Sequence, residues 1–391
     1  MNFSNIKKYM LALMAHCIPR DPHLWVTGKV AGWEYSNTPP MFFDNSKYFF
    51  LYLLNHTDEK VYWLSTSEKE IEAMTKMGLP VARYNTAKGL WLTLRAKYFF
   101  HHYGTEQIDR ILQYGSTQVN FWHGTPLKKI AYDVVPKVEI PLNPLARFLN
   151  RKGETYLAST STYLSENILC KAFDIDASHV LNFGYPRMDV MKLSRSETIT
   201  FCQKYSENLL PYIERAKGKN VFLYMPTWRD DDPDYFSKAN IDLQALDQKM
   251  AENNGIFFLK LHPLTQNVDI GKYNNIVQIA NDVDIYPFLT FIDYLITDYS
   301  SIFFDFLPLD KEIIFIPYDF ENYTKNRELY FDFFDFVPGT CYENFDAFIQ
   351  IIDQIDTMDS SQRRKQIRDL FIQDDYFDAA EKTYKYFKER N

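Results

Sequence analysis

The chain has 391 residues, 46% of them hydrophobic and 24% charged, enough apolar material for two buried cores and too much for a disordered protein. A net charge of −8 argues against nucleic-acid binding through bulk charge. Cys17, Cys170, Cys202 and Cys341 form no CxxC pair and have no histidine at zinc-motif spacing, which fits a reducing compartment without a structural zinc.

Positive charge is unevenly spread. Residues 1–30 carry Lys7, Lys8, Arg20 and Lys29 against Asp21 alone, and residues 120–152 carry six basic residues against Asp133 and Glu139. Each segment can face an anionic surface or simply be solvated. The apolar stretch 6–18 lacks a small-residue cleavage site and is too short to span a bilayer. It can lie on a membrane surface or pack against the rest of the domain.

Periodicity then predicts a helix over 45–54, a strand over 60–64, a helix over 68–77, a strand over 80–84, a helix over 90–96 and strands over 97–101 and 118–122. A strand over 156–159 leads into a helix over 161–172, and 180–183 closes the first half. Residues 196–217 read as a polar helical stretch ending in Lys217-Gly218-Lys219-Asn220, the expected linker zone. The second half repeats the alternation, with strands over 221–225, 256–261, 276–279, 294–297 and 313–316. Its helices are expected over 243–253 and 285–290; amphipathic helices over 345–356 and 362–372 and a last helix over 379–390 close the chain. Such alternation predicts parallel sheets with right-handed crossovers, in two domains, 1–195 and 196–391, facing a cleft.

In open α/β sheets ligands sit beyond the carboxyl ends of strands. Four such ends are rich in polar residues: 121–129 with His123, Gly124 and Lys128; 224–231 with Thr227 and Arg229; 259–263 with Lys260 and His262; and 296–305 with Asp298, Ser300 and Ser301. Asp298, Ser300 and Ser301 are helix-capping types at a strand-to-helix corner, where free backbone N–H groups can hold a phosphate. An ordinary capped corner accounts for that stretch equally well. His123 is as readily a satisfied structural histidine, and Arg229 can merely pair with Asp230. Together these ends offer hydroxyls, two imidazoles and the cations Arg229 and Lys260, suited to a diphosphate and a hydroxyl nucleophile. There is no GxGxxG, P-loop or G-x-S-x-G elbow.

The motifs WHGTPLKKI (122–130), GYPRMD (184–189), PTWRDD (226–231), LKLHP (259–263), TDYSSIFFDF (297–306) and IPYDFENY (316–323), with YFDF and PG in 327–339, resemble the CDP-glycerol glycerophosphotransferase family. Its members are primases and polymerases of teichoic acid and related capsule polymers. The resemblance implies the GT-B architecture, two Rossmann-like halves, and attack of an acceptor hydroxyl on the β-phosphorus of CDP-glycerol or another CDP-polyol, releasing CMP. It implies His123 as general base, and places Thr227, His262, Ser300 and Ser301 around the donor diphosphate with Arg229, Lys260 and Arg327 as nearby cations. Asp298 would orient the loop or the polyol, and Gly124, Lys128 and Arg187 would meet the acceptor. No metal is implied; Mg2+ is compatible, but no acidic ligand cluster calls for it. Acceptors in this family are lipid-linked or oligosaccharide and anionic, so Lys128, Lys129, Lys137, Arg147, Arg151 and Lys152 would face them or an anionic leaflet, and 141–149 would offer apolar side chains to the interface. The implied location is the inner face of a bacterial membrane, peripherally attached. Glu328 stands where the family usually has glycine, and 25–41 matches loosely, with an insertion. The lack of a long preceding domain favours a primase that adds one or few units, with a short polymerase as the other reading. A nucleotide-sugar glycosyltransferase of the same fold and a non-catalytic scaffold remain the alternative readings.

Overall fold

In the computed structural model, residues 3–29, 42–103, 108, 110–135, 153–229, 232, 235–262, 265, 270–325 and 327–389 are described. Their strands form two sheets, parallel throughout. The first runs β3-β2-β1-β4-β5-β6-β7, where β1 is Asp21–Lys29, β2 Lys60–Ser65, β3 Val81–Arg83, β4 Ala96–His101, β5 Thr117–Asn120, β6 Glu154–Ala158 and β7 Val180–Leu181. The second runs β10-β9-β8-β11-β12-β13, with β8 Asn220–Met225, β9 Gly255–Leu259, β10 Ile276–Gln278, β11 Tyr294–Thr297, β12 Glu312–Phe315 and β13 Thr340–Cys341. Strand order reverses between β1 and β4 in one sheet and between β8 and β11 in the other. That reversal is the point at which a doubly wound sheet opens a crevice.

β1, the strand at the reversal, was not predicted. Pro22 and the charged Asp21 at its start hide a strand whose centre, Leu24-Trp25-Val26, is fully buried on both faces. Trp25 stacks on Tyr98 at 4.0 Å and meets Phe387 from the last helix, Ala379–Lys388, at 6.3 Å. That helix therefore packs on the first sheet although it follows the second in sequence. Asp189 holds it there, its two oxygens accepting the N–H groups of Ala379 and Ala380 at 2.9 Å each.

The stretch expected to link the halves is a pair of packed helices, Arg195–Tyr205 and Leu210–Ala216. Ser194 and Glu197 form a capping box at the start of the first helix. Phe201 stacks on Tyr48, and the buried Lys47 donates to Ser206 and to Asp284. These contacts tie the helix Asp44–His56 of the first half to the second, and one hydrophobic core runs through both.

The N-terminal stretch forms a helix, Phe3–Cys17, with Ala12 and Ala15 buried and Met10, Leu13 and Met14 exposed. Packing against the domain thus uses one face and leaves an apolar one in solvent. Among the described residues no helix is long and apolar enough to cross a membrane. Lys137, Arg147, Arg151, Lys152, Asp230 and the stretches 30–41 and 141–149 lie outside the described residues.

Candidate active site

Three strands of the second sheet end at one place. β8 and β11 pair in register up to Met225 and Thr297, and the Thr297 hydroxyl donates to the Met225 carbonyl at 2.7 Å. Immediately beyond, the fully buried Asp298 accepts the N–H groups of Thr227 at 2.8 Å and Tyr299 at 2.5 Å on one oxygen, and Arg229 at 2.8 Å on the other. Asp298 therefore orders the corner, with both oxygens engaged by internal donors and the side chain out of solvent. Arg229 is as fully employed. Asp319 takes its Nε and one terminal nitrogen at 2.9 Å each, the Thr227 carbonyl takes the other nitrogen, and its plane lies over Tyr299 and Tyr323. Lys260, beyond β9, gives two of its three protons to the carbonyls of Ala280 and Asn281 at 2.9 Å. Desolvation lowers it to about 8.

Three hydroxyls at the corner are less committed. The Thr227 hydroxyl is buried and bonds to no described residue. Ser301 precedes the short helix Ile302–Phe306 without its side chain capping it, and Ser300 reaches the Ile302 N–H only at 3.5 Å. The capping expected of these serines is thus largely unmade, and their hydroxyls stay available. His262 stacks on Trp228 at 5.9 Å with an edge in solvent. Desolvation in the cleft, then the charges of Lys128 and Lys260, push it down to about 4. Arg327 is exposed.

Across the cleft, β5 ends at Asn120, whose side chain accepts the Trp122 N–H at 2.9 Å. Trp122 at φ 56 and Gly124 at φ 136 turn the chain sharply on either side of His123. A Cβ on Gly124 would stand 2.9 Å from the Arg187 guanidinium and 3.5 Å from the Ser301 hydroxyl. The glycine thus lets the His123 loop close on the serine corner; the space beside it is occupied by protein rather than left for an incoming molecule.

Arg187, in the 3-10 helix Pro186–Lys192 after β7, is 3% exposed and fills that space. It bonds to Asp44 at 2.7 Å, to Asp305 at 2.6 Å and to the His123 carbonyl at 3.0 Å, with its plane 4.7 Å from the Tyr286 ring. Burial works against charge on all three groups. At Arg187 the two carboxylates prevail and hold it protonated; at Asp44 Arg187 prevails, while burial keeps Asp305 above the usual carboxylate range. This clasp joins the two halves and was not legible from the motif that carries Arg187. Asp44 and Asp305 had no signal beyond acidic residues in apolar surroundings.

His123 lies 3.3 Å, through Nδ1, from the His102 carbonyl. A carbonyl only accepts, so Nδ1 carries the proton and Nε2 keeps the lone pair. Desolvation in the cleft lowers this imidazole to about 4; Asp44 opposes the shift and Arg187 adds to it. The side chain is exposed at the groove, so water tempers this effect. The groove is open, of about 680 Å3, and lined also by Trp122, Lys129, Ile130, Ala131, Tyr132, Val134 and Val135. Tyr132, Val134 and Val135 are exposed at its rim. Lys128 is not among these residues; the structure places it toward the second half. Among the described residues no three His, Cys, Asp or Glu side chains are grouped to hold a metal ion.

The family model for CDP-Glycerol:Poly(glycerophosphate) glycerophosphotransferase matches residues 29–387. The chain belongs to this family. It is 30% identical over 324 residues to the teichoic acid glycerol-phosphate transferase of Staphylococcus aureus, covering 80% of each chain. It is 28% identical to a teichoic acid poly(glycerol phosphate) polymerase of Bacillus spizizenii, covering 94% of this chain and 92% of that one. Against the corresponding polymerase of Bacillus subtilis it is 29% identical but spans only 46% of that protein's length. In fold it resembles the wall teichoic acid polymerase TagF, with a TM-score of 0.71 at 22% identity, covering 100% of this chain and 96% of that one. The expected α/β, GT-B-like architecture is the one found.

Proposed function

We propose that this family member transfers glycerol phosphate from CDP-glycerol to a hydroxyl of a lipid-linked or polymer acceptor, releasing CMP. The observation that carries the reading is the meeting of His123's loop with Ser301 across the cleft, beside hydroxyls that the described residues engage weakly or not at all. Thr227, Ser300 and Ser301 would receive the donor's phosphate oxygens, with His262 at the rim. Asp298, Arg229 and Lys260, committed to internal partners, shape the corner and supply its field. Transfer of this kind asks mainly for positioning and charge stabilisation.

The acceptor would lie in the groove at His123. Its oxygen attacks the β-phosphorus, its proton passes to Nε2, and the bond to the bridging oxygen breaks as CMP leaves. Desolvation keeps the imidazole neutral at pH 7 and able to accept that proton. Gly124 and Arg187 support the loop in this scheme rather than touch the acceptor. The exposed Tyr132, Val134 and Val135 suit an acceptor presented at a lipid surface, which supports peripheral attachment to the membrane.

The test is incubation of the protein with CDP-glycerol, CDP-ribitol and a UDP-sugar, each with and without a lipid-linked acceptor. CMP release from CDP-glycerol that depends on acceptor is the expected result. Turnover of the UDP-sugar alone would overturn the proposal in favour of a glycosyltransferase. Flotation with anionic vesicles checks the membrane part: V134E/V135E should bind less than the unaltered protein.

A further inference from the structure

Lys128 belongs to the first half in sequence, five residues after His123, yet it is fastened to the second. The Lys129 N–H donates to the Glu328 carbonyl and the Tyr330 N–H to the Leu127 carbonyl, both at 2.9 Å. Lys128 and Leu329 form the antiparallel bridge between them. This short ladder spans the cleft and fixes where the lysine side chain begins. Its ammonium stands 5.5 Å from the centre of the Tyr323 ring, a ring that also carries the Arg229 guanidinium at 4.8 Å. The groups that act on it are Arg327, Asp298 and Arg229, and it acts in turn on His262. All belong to the second half's corner.

Asp298 is already spent on Arg229 and two backbone N–H groups, and Lys128 makes no ion pair with any described residue. Desolvation, with Arg327 and Arg229 adding to it, lowers the ammonium to about 8. A half-buried cation next to other cations is costly unless an anion joins it. A ring face softens that cost only partly.

We propose that Lys128 is a ligand of the donor's diphosphate, reaching it from across the cleft, rather than a contact for the acceptor. The inference rests on the donor reading above and extends it. The same loop then carries both the base and a donor ligand, so donor binding tethers His123 over the phosphorus it serves. The ladder at 328–330 makes that tether short. Glu328, which departs from the residue usual there, takes part through its carbonyl and pairs its side chain with Lys129.

The experiment compares the full chain with K128A, K128Q and K128R by calorimetric titration with CDP-glycerol and with cytidine, and by steady-state KM for donor and for acceptor. K128A and K128Q should lose about tenfold or more in CDP-glycerol affinity, the scale of one charge-assisted bond, and gain donor KM in proportion. Cytidine binding, acceptor KM and the melting temperature should stay as in the unaltered protein. K128R should recover most of the loss. CDP-glycerol affinity untouched by K128A and K128Q, or a rise confined to acceptor KM, overturns the inference and leaves the donor reading standing. An unaltered protein that neither binds nor consumes CDP-glycerol overturns both.

Discussion

Replacing Arg187 by methionine keeps its length and removes its charge. In the native chain the guanidinium bonds to Asp44 at 2.7 Å and Asp305 at 2.6 Å, and the three side chains are 3%, 9% and 2% exposed. R187M leaves two carboxylates in the interior without their cation, and breaking a buried pair in this way costs about 3–5 kcal/mol. Asp305, already held above the usual carboxylate range by burial, can take up a proton and relieve part of this, which favours the lower end. The His123 carbonyl also loses its donor. At about 1.2 °C per kcal/mol for a chain of 391 residues, melting should fall by about 4–6 °C. The triple variant R187M/D44L/D305L removes every charge and should regain much of that loss. Transfer activity should stay low in both variants, because neither holds the His123 loop against Ser301. Calorimetric melting and CMP release at a temperature where all forms are folded make the measurement. A melting point for R187M within 2 °C of the native value would refute the reasoning. Native turnover in the triple variant would show that the clasp only stabilises.

H123N keeps an amide donor for the His102 carbonyl but removes the lone pair, so kcat should fall about 10²- to 10⁴-fold with CDP-glycerol affinity unchanged. Because this histidine is lowered from 6.5 toward 4, the base stays unprotonated as pH drops through 6.5. Activity should persist there and decline only on further acidification; a kcat/KM inflection at or above 6.5 would contradict the assignment. T227V deletes a buried hydroxyl that has no described partner, so stability should change by less than about 1 kcal/mol while donor KM rises about tenfold. Unchanged KM would remove Thr227 from the donor site. D189A takes away both acceptors at the start of the last helix and should cost about 1–2 kcal/mol, with hydrogen exchange accelerating in 379–388 ahead of the sheets. Equal protection in both proteins would show that the helix does not depend on this cap.

The alternation of strands and helices was legible because each parallel strand needs an apolar run and each crossover helix a 3.6-residue period. β11 was read at its observed ends, and β2, β4 and β8 within a residue or two. What escaped was set by long-range contact. β1 has too short an apolar run around Trp25 to outweigh Pro22, and its place at the centre of the sheet depends on β2 and β4 on either side. Residues 196–217 read as a linker because their buried residues, such as Cys202 and Tyr205, are few per turn; the partners of Phe201 and Tyr205, Tyr48 and Asn55, come from far away in sequence. The corner at 297–301 was legible as a place but not in its division of roles. Nothing in TDYSS tells that the aspartate is spent internally and the serines are not.

That division gives the site its logic. Anions bind where the protein has positive charge and donors to spare, and most of the charged groups here have none. Arg229 with Asp298 and Asp319, and Lys260 with two carbonyls, are frames whose cost of burial is met by internal partners. In the proposed scheme a frame of this kind is set before any ligand arrives and holds the hydroxyls where the donor's phosphates would sit. The groups left over are small or terminal: the Thr227, Ser300 and Ser301 hydroxyls, the Lys128 ammonium and the His123 Nε2. Each is carried by one of the frames or fastened to it, His123 through Arg187 and Lys128 through the ladder at Leu329. Substitutions should therefore separate into two kinds. Those in the frame lower stability and activity together, and those among the leftover groups lower affinity or turnover while the fold keeps its melting point.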